Sequence, residues 1–160
     1  MTLQFRLARA DEYQKVEDLL IESFEPITWH KKLDESFGPL NGLDWRQRWK
    51  RRVAEVWKTQ IVLAGEADGE LIAVSCGTLD PHTRLGFIDL IAVDHRYQGK
   101  GYGRDMLRGM LRHFREQGAL HANLECLTDN DRGNRLYRAE GFQEVARSIR
   151  WFIRLGEPEG

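Results

Sequence analysis

The sequence has little cysteine. Its two cysteines, Cys76 and Cys126, both sit inside apolar runs. The expectation is two reduced core thiols, with a single bridge left open. It also lacks any apolar run near the roughly 20 residues that span a bilayer. The opening MTLQFRLARADEY is too polar for a secretory signal, so a cytoplasmic chain without a membrane is expected. An excess of one charge is missing as well. The chain has 24 Lys and Arg against 25 Asp and Glu. That balance carries no global signature for nucleic acid or a membrane surface. Repeats, low-complexity tracts and linker-like stretches are absent too. What is present is 160 residues, 41% hydrophobic and 31% charged. That is one domain, 1–160, able to bury a two-layer core without disulfides or metal.

LQFRLA alternates and reads as a strand. Asp11 offers a helix N-cap, and Tyr13, Val16, Leu19, Leu20 and Phe24 fall on one helical stripe. From Glu25 to Gly42 the pattern breaks into loop or short helix. Asp44 caps a second helix with the stripe Trp45, Trp49, Val53 and Val56. TQIVLAGE and LIAVSCGTL then form a hairpin about Asp68-Gly69. GFIDLIAV is nearly all apolar and reads as a central strand covered on both faces. A helix running to about Gln117 follows. Next come a strand in ALHANLECLT, a short helix closed by Gly141, and two last strands in FQEVARS and IRWFIRL. The order predicts a mixed α/β domain around one sheet.

Between the central strand and the following helix lies YQGKGYG, with glycine at 99, 101 and 103. Helix N-termini carry unpaired N–H groups and partial positive charge. Removing Cβ atoms there lets an anion touch the backbone, which makes a phosphate or pyrophosphate cradle. The competing reading is a tight turn with no ligand. A Walker loop fails because Lys100 is followed by Gly101. A Rossmann turn fails because the spacing is Gly-x-Gly-x-Gly.

AVDHRYQGKGYGRDML resembles the signature of the GNAT superfamily of acyl-CoA-dependent N-acyltransferases, through Gln98, Gly101 and Gly103. LECLTDNDRGNRLYRAEGF resembles its second signature, through Asn130, Leu136-Tyr137 and Gly141-Phe142. Gly133 departs from the usual alanine. The resemblance covers Ile61 to Phe142, and 25–58 stands apart as a variable, substrate-side segment. It implies a mostly antiparallel sheet of six to seven strands with helices on both faces. It also implies a splay beside the central strand that holds acetyl-CoA. The pantetheine arm is then expected along Ile91, Ala92 and Val93, with the pyrophosphate on the amides of Gln98, Gly99, Lys100, Gly101, Tyr102, Gly103 and Arg104. Lys100 and Arg104 either add charge there or are merely solvated. Asn130 is expected to bind the cofactor arm or to cap its helix, and the two are compatible.

The implied reaction is attack of a primary amine on the acetyl thioester. A lysine-like amine, with a pKa of about 10.4, must first lose a proton. A backbone N–H near Ile91 would steady the oxyanion. Tyr137, a phenol protonated at neutral pH, is the candidate acid for the thiolate; packing with a surface hydroxyl is the alternative. For the base, Asp89 in a buried-looking strand comes first and Glu125 second; either could be a paired structural carboxylate or face outward. His82 and His95 lie in turns and read as exposed. No cluster has metal-ligand spacing, so no metal is expected. DWRQRWKRRVAEVWK combines three tryptophans with six basic residues. It reads as a core-facing stripe with a solvated face, or as a lid over the acceptor, with Trp29 and Phe37 in the same wall. An inactive acyl-CoA sensor of the same fold is the alternative function, a homodimer is compatible with the sequence, and the acceptor is open.

Overall fold

The alternating runs become strands. A computed structural model, described over residues 2–157, pairs them in chain order. β1 (Gln4–Leu7), β2 (Ile61–Ala67), β3 (Glu70–Asp80), β4 (Leu85–Val93) and β5 (His121–Leu124) form one five-stranded sheet. The first three pairings are antiparallel and β4–β5 is parallel. At the β2–β3 hairpin, Asp68 and Gly69 have φ of 49° and 77°. Two positive φ values match the twist of the flanking strands. The parallel step needs a crossover, which is α4 (Tyr102–Glu116).

Each face of the sheet carries one apolar layer. α1 (Tyr13–Phe24) and α3 (Trp45–Thr59) put Val16, Leu20, Trp49 and Val53 on Val62, Val74, Leu90 and Ala92. On the other face α4 sets Met106, Leu107, Met110 and Phe114 against Ile72, Ala73 and Ile88. Asp44 opens α3 with a reciprocal cap: its carboxylate accepts the Gln47 amide (2.9 Å), and the Gln47 side chain accepts the Asp44 amide (2.9 Å). Two short helices complete the fold, α2 (Trp29–Phe37) within the irregular 25–42 stretch and α5 (Asp131–Ala139) after β5.

Three expectations are corrected. Asp11 is not the cap of α1. A 3-10 turn, Ala10–Glu12, comes first, and the Glu12 carboxylate accepts the Arg9 amide (2.8 Å). Arg6 hydrogen-bonds the same carboxylate, which holds it down at about 2. The sheet has five strands rather than six to seven, because FQEVARS and IRWFIRL run through residues 142–155 without joining a ladder. Alternation marks two faces of a strand but names no neighbour. β5 is also shorter than its apolar run suggests.

One irregularity lies at the centre. The β3–β4 register passes from Cys76↔Leu90 to Gly77↔Ile88 and skips Asp89. A bulge bends its strand and raises the local twist. The β4–β5 pairing stops at this point, with Ile88↔Leu124 as its last pair.

Candidate active site

Beyond Ile88, β4 has a neighbour on one side only. The Asp94 amide donates to Ile72 of β3 (2.8 Å). Strand alternation therefore turns the backbone of Ala92 towards β3 and that of Ile91 and Val93 towards the open side. Ala92 also lines the cleft, with its backbone in the β3 ladder and its side chain in the core. The Val93 carbonyl is already taken by Ser23 Oγ and Gln98 Nε2, each at 3.2 Å. The N–H and C=O of Ile91 are left facing the gap.

At the end of β4 the chain makes a 3-10 turn, His95–Tyr97, and enters α4. The Gln98 amide donates weakly to the His95 carbonyl (3.4 Å), and the next backbone bond in this stretch is Asp105 to Gly101 (3.1 Å). Among the described residues, the amides from Gly99 to Arg104 have no backbone acceptor. Gly99 and Gly101 have φ of 79° and 87°, where side chains are strained. Gly103 is different. Its φ is ordinary, and a Cβ there would meet no protein atom within 4 Å. Protein packing among the described residues does not require that glycine. Of the basic side chains, Arg104 is paired with Glu140 (2.9 Å). Lys100 has no carboxylate partner among the described residues and lies 5.7 Å from the Tyr97 ring centroid.

The open edge of β4 and this turn line one cleft of about 660 Å³. Tyr137, Asn130, Glu125 and Asp89 line it as well. Tyr137 lies against Phe142, and burial, with a smaller contribution from Cys126, pushes its phenol up to about 12. Asn130 Oδ1 caps α5 by accepting the Gly133 amide (3.1 Å). A Cβ at Gly133 would sit 2.8 Å from Asn130 Nδ2, which explains the glycine in place of alanine. Asp89 is engaged on both oxygens, by Arg52 (2.8 Å) and Gln60 (2.9 Å). Glu125, directly after β5, is exposed and has no hydrogen bond or ion pair among the described residues. His82 and His95 are exposed, and Cys76 and Cys126 are free thiols.

The other end of the cleft is aromatic, with Trp29 in the wall where it was expected. α2 brings Trp29 and His30, stacked with centroids 3.8 Å apart, and α3 adds Trp49 and Arg52. Thr28 joins the two helices: its Oγ1 caps α2 at the His30 amide and accepts from Trp49 Nε1, each at 3.2 Å. Burial, then Arg52, Arg48 and Arg150, pull the His30 imidazole down to about 4. The tryptophan helix is therefore core stripe and cleft wall together, whereas Phe37 leaves the wall and packs on Phe152. No local signal marks the His30 environment, because the arginines that act on it come from α3 and from the distant Arg150.

An unpaired edge on a central strand, next to a run of free amides, is the anatomy of a site for an extended ligand ending in phosphates. The acetyltransferase (GNAT) family profile matches residues 14–142, and the chain belongs to this family. N-alpha-acetyltransferase RimI of Mycobacterium tuberculosis (strain ATCC 25618 / H37Rv) is 43% identical over 65 residues, 41% of this chain and 39% of that protein. The match thus spans about two-fifths of the relative's length. AAC(6')-Iy bound to the bisubstrate analog CoA-S-monomethyl-acetylneamine superposes with a TM-score of 0.67 at 14% identity, over 96% of this chain and 99% of that one. The Escherichia coli ribosomal-protein-S18-alanine N-acetyltransferase superposes with a TM-score of 0.67 at 16% identity, over 91% and 80%. At that identity the likeness is one of fold. No helix among the described residues is long and apolar enough to cross a membrane.

Proposed function

We propose that the protein is an N-acetyltransferase that moves an acetyl group from acetyl-CoA to a primary amine by direct attack. One observation carries this reading. Gly99, Gly101, Tyr102, Gly103 and Arg104, whose amides have no backbone acceptor among the described residues, line the same cleft as Ile91 on the open edge of β4. Amides at a helix N-terminus suit a pyrophosphate. An unpaired strand edge suits an amide-bearing arm that adds like a strand. Lys100 supplies a positive charge beside the turn, and Arg104 shares the Glu140 carboxylate with Arg108.

In the reaction the Ile91 N–H is the donor for the oxyanion that develops on the thioester carbonyl. Tyr137, kept protonated by burial, is the proton donor for the departing thiolate. Glu125 is the base, directly or through a water, because its carboxylate is free to accept a proton. Asp89 takes the lesser role of fixing Arg52 and Gln60 in the cleft wall. Asn130 keeps one amide hydrogen-bonding group for the cofactor arm while its oxygen caps α5. The aromatic end receives the acceptor. The first acceptor class to test is the protein N-terminal α-amine, after the mycobacterial relative.

The test is thiol release from acetyl-CoA across a panel of N-terminal peptides, lysine peptides and small amines, with the product's mass measured. Turnover with a gain of one acetyl group is expected. Acetyl-CoA binding without turnover across the panel would instead make the protein a sensor.

A further inference from the structure

The charges around His30, at the aromatic end of the cleft, do not balance. After burial, the groups that depress its imidazole are Arg52, Arg48 and Arg150, with Asp34 alone opposing them. The three guanidiniums are engaged to different degrees. Arg48 pairs with Asp34 (2.8 Å) and donates to the His30 and Leu43 carbonyls (3.2 and 2.7 Å). Arg52 gives only its Nη2 to Asp89 (2.8 Å), and its Nε and Nη1 have no acceptor among the described residues. Its Cζ lies 4.8 Å from the Trp49 ring centroid. Arg150 lies 4.1 Å from the Trp29 ring centroid and has no carboxylate partner among the described residues. The His30 ring makes no hydrogen bond among them either, and both His30 and Arg52 line the cleft.

A guanidinium stacked on an aromatic ring is held in place while the donors on its edge stay available, and that edge matches a carboxylate. The opposite sign is present too. Glu125 lines the same cleft and has no ion-pair partner among the described residues. A carboxylate at one station and unmatched guanidinium donors at another suit a molecule that carries an ammonium and an anion together. The surplus beside His30 is a single positive charge, because Asp34 and Asp89 match Arg48 and Arg52. One charge suits a carboxylate; a phosphate monoester brings about two.

We infer that the acceptor is an amine accompanied by a carboxylate, received by Arg52 and Arg150 beside the Trp29–His30 stack while Glu125 faces the amine. The inference rests on the acetyltransferase reading above. The carboxylate has one of two sources with the same chemistry: an acidic side chain near a peptide's N-terminus, or the α-carboxylate of a free amino acid.

The test measures kcat/KM on the full chain with acetyl-CoA, by product mass. One arm uses peptides with a free N-terminus and Asp, Asn or Lys at the first or second position. The other sets free amino acids against their α-amides. The same compounds are also titrated into the protein saturated with coenzyme A, which reads binding without turnover. The carboxylate member of one arm should exceed its neutral counterpart by about 10- to 100-fold, mostly through KM. Arg52→Gln and Arg150→Gln should each shrink that ratio, and Arg150→Glu should favour the Lys peptide. Arg150 is exposed, so its variants keep the test open if Arg52→Gln fails to fold, which the thermal midpoint and acetyl-CoA affinity report. Equal turnover of Asp, Asn and Lys peptides and of acids and amides would overturn the inference and leave the acetyltransferase reading standing. Arginine-dependent binding of the carboxylate member with no turnover of any compound would do the reverse. A preference that survives both Gln variants, or no preference in binding and no turnover, would also overturn it.

Discussion

At the residue scale the most informative position is Gly103. Gly101 also lies on the turn, but its φ of 87° means a side chain there strains the backbone by itself. Gly103 has an ordinary φ and open space beside it, so Gly103→Val tests the ligand alone. The expected result is an unchanged unfolding midpoint and a loss of acetyl-CoA affinity of about 10- to 100-fold. That corresponds to one or two charged hydrogen bonds; isothermal titration measures it. Tyr137→Phe keeps the packing on Phe142 and removes the proton donor. Turnover should fall about 100-fold or more while acetyl-CoA affinity holds; equal turnover would reduce Tyr137 to a packing residue. The two carboxylates separate in the same way. Glu125→Gln should flatten the alkaline-rising limb of the pH–rate profile. Asp89→Asn weakens its charged contact to Arg52 and should act mainly on KM for the acceptor. The reverse pattern would exchange the two roles.

At the element scale, α3 supplies both a core stripe and a wall of the cleft, so its start matters to both. The Asp44 cap satisfies amides that the helix leaves unpaired. Asp44→Ala should cost about 1 kcal/mol, visible as a lower thermal midpoint with acetyl-CoA affinity retained. The Asp89 bulge has a different consequence. It falls where the β4–β5 pairing ends, and there Asp89, on the cleft wall, is held by Arg52 and Gln60. The carboxylate that the sequence marks as the first candidate base is thus held by two partners.

At the scale of the whole molecule, burial and the surrounding arginines of α3 and the C-terminal segment lower His30 to about 4. In the unfolded chain it titrates near about 6.5. Between those values the unfolded state binds more protons, so stability falls as pH drops from 6.5 to 4. Glu12, held at about 2 by Arg6, extends the loss below its unfolded value. Thermal midpoints measured across this range should decline, and His30→Phe should flatten the slope above pH 4.5. A slope unchanged by that variant would place the linkage elsewhere.

The sequence by itself determined whatever rests on neighbours in the chain. The glycine turn, the Asp68-Gly69 hairpin, the Asp44 cap and the stripes of α1 and α3 are set by local dihedrals and by period, and each is found where it was expected. Tertiary structure alone decided which side of β4 stays open and that Arg52 claims Asp89. It also brought His30 into the cleft and left residues 142–155 without a sheet. Pairing is a relation between distant segments; one strand's pattern states which face seeks burial and is silent on what will cover it.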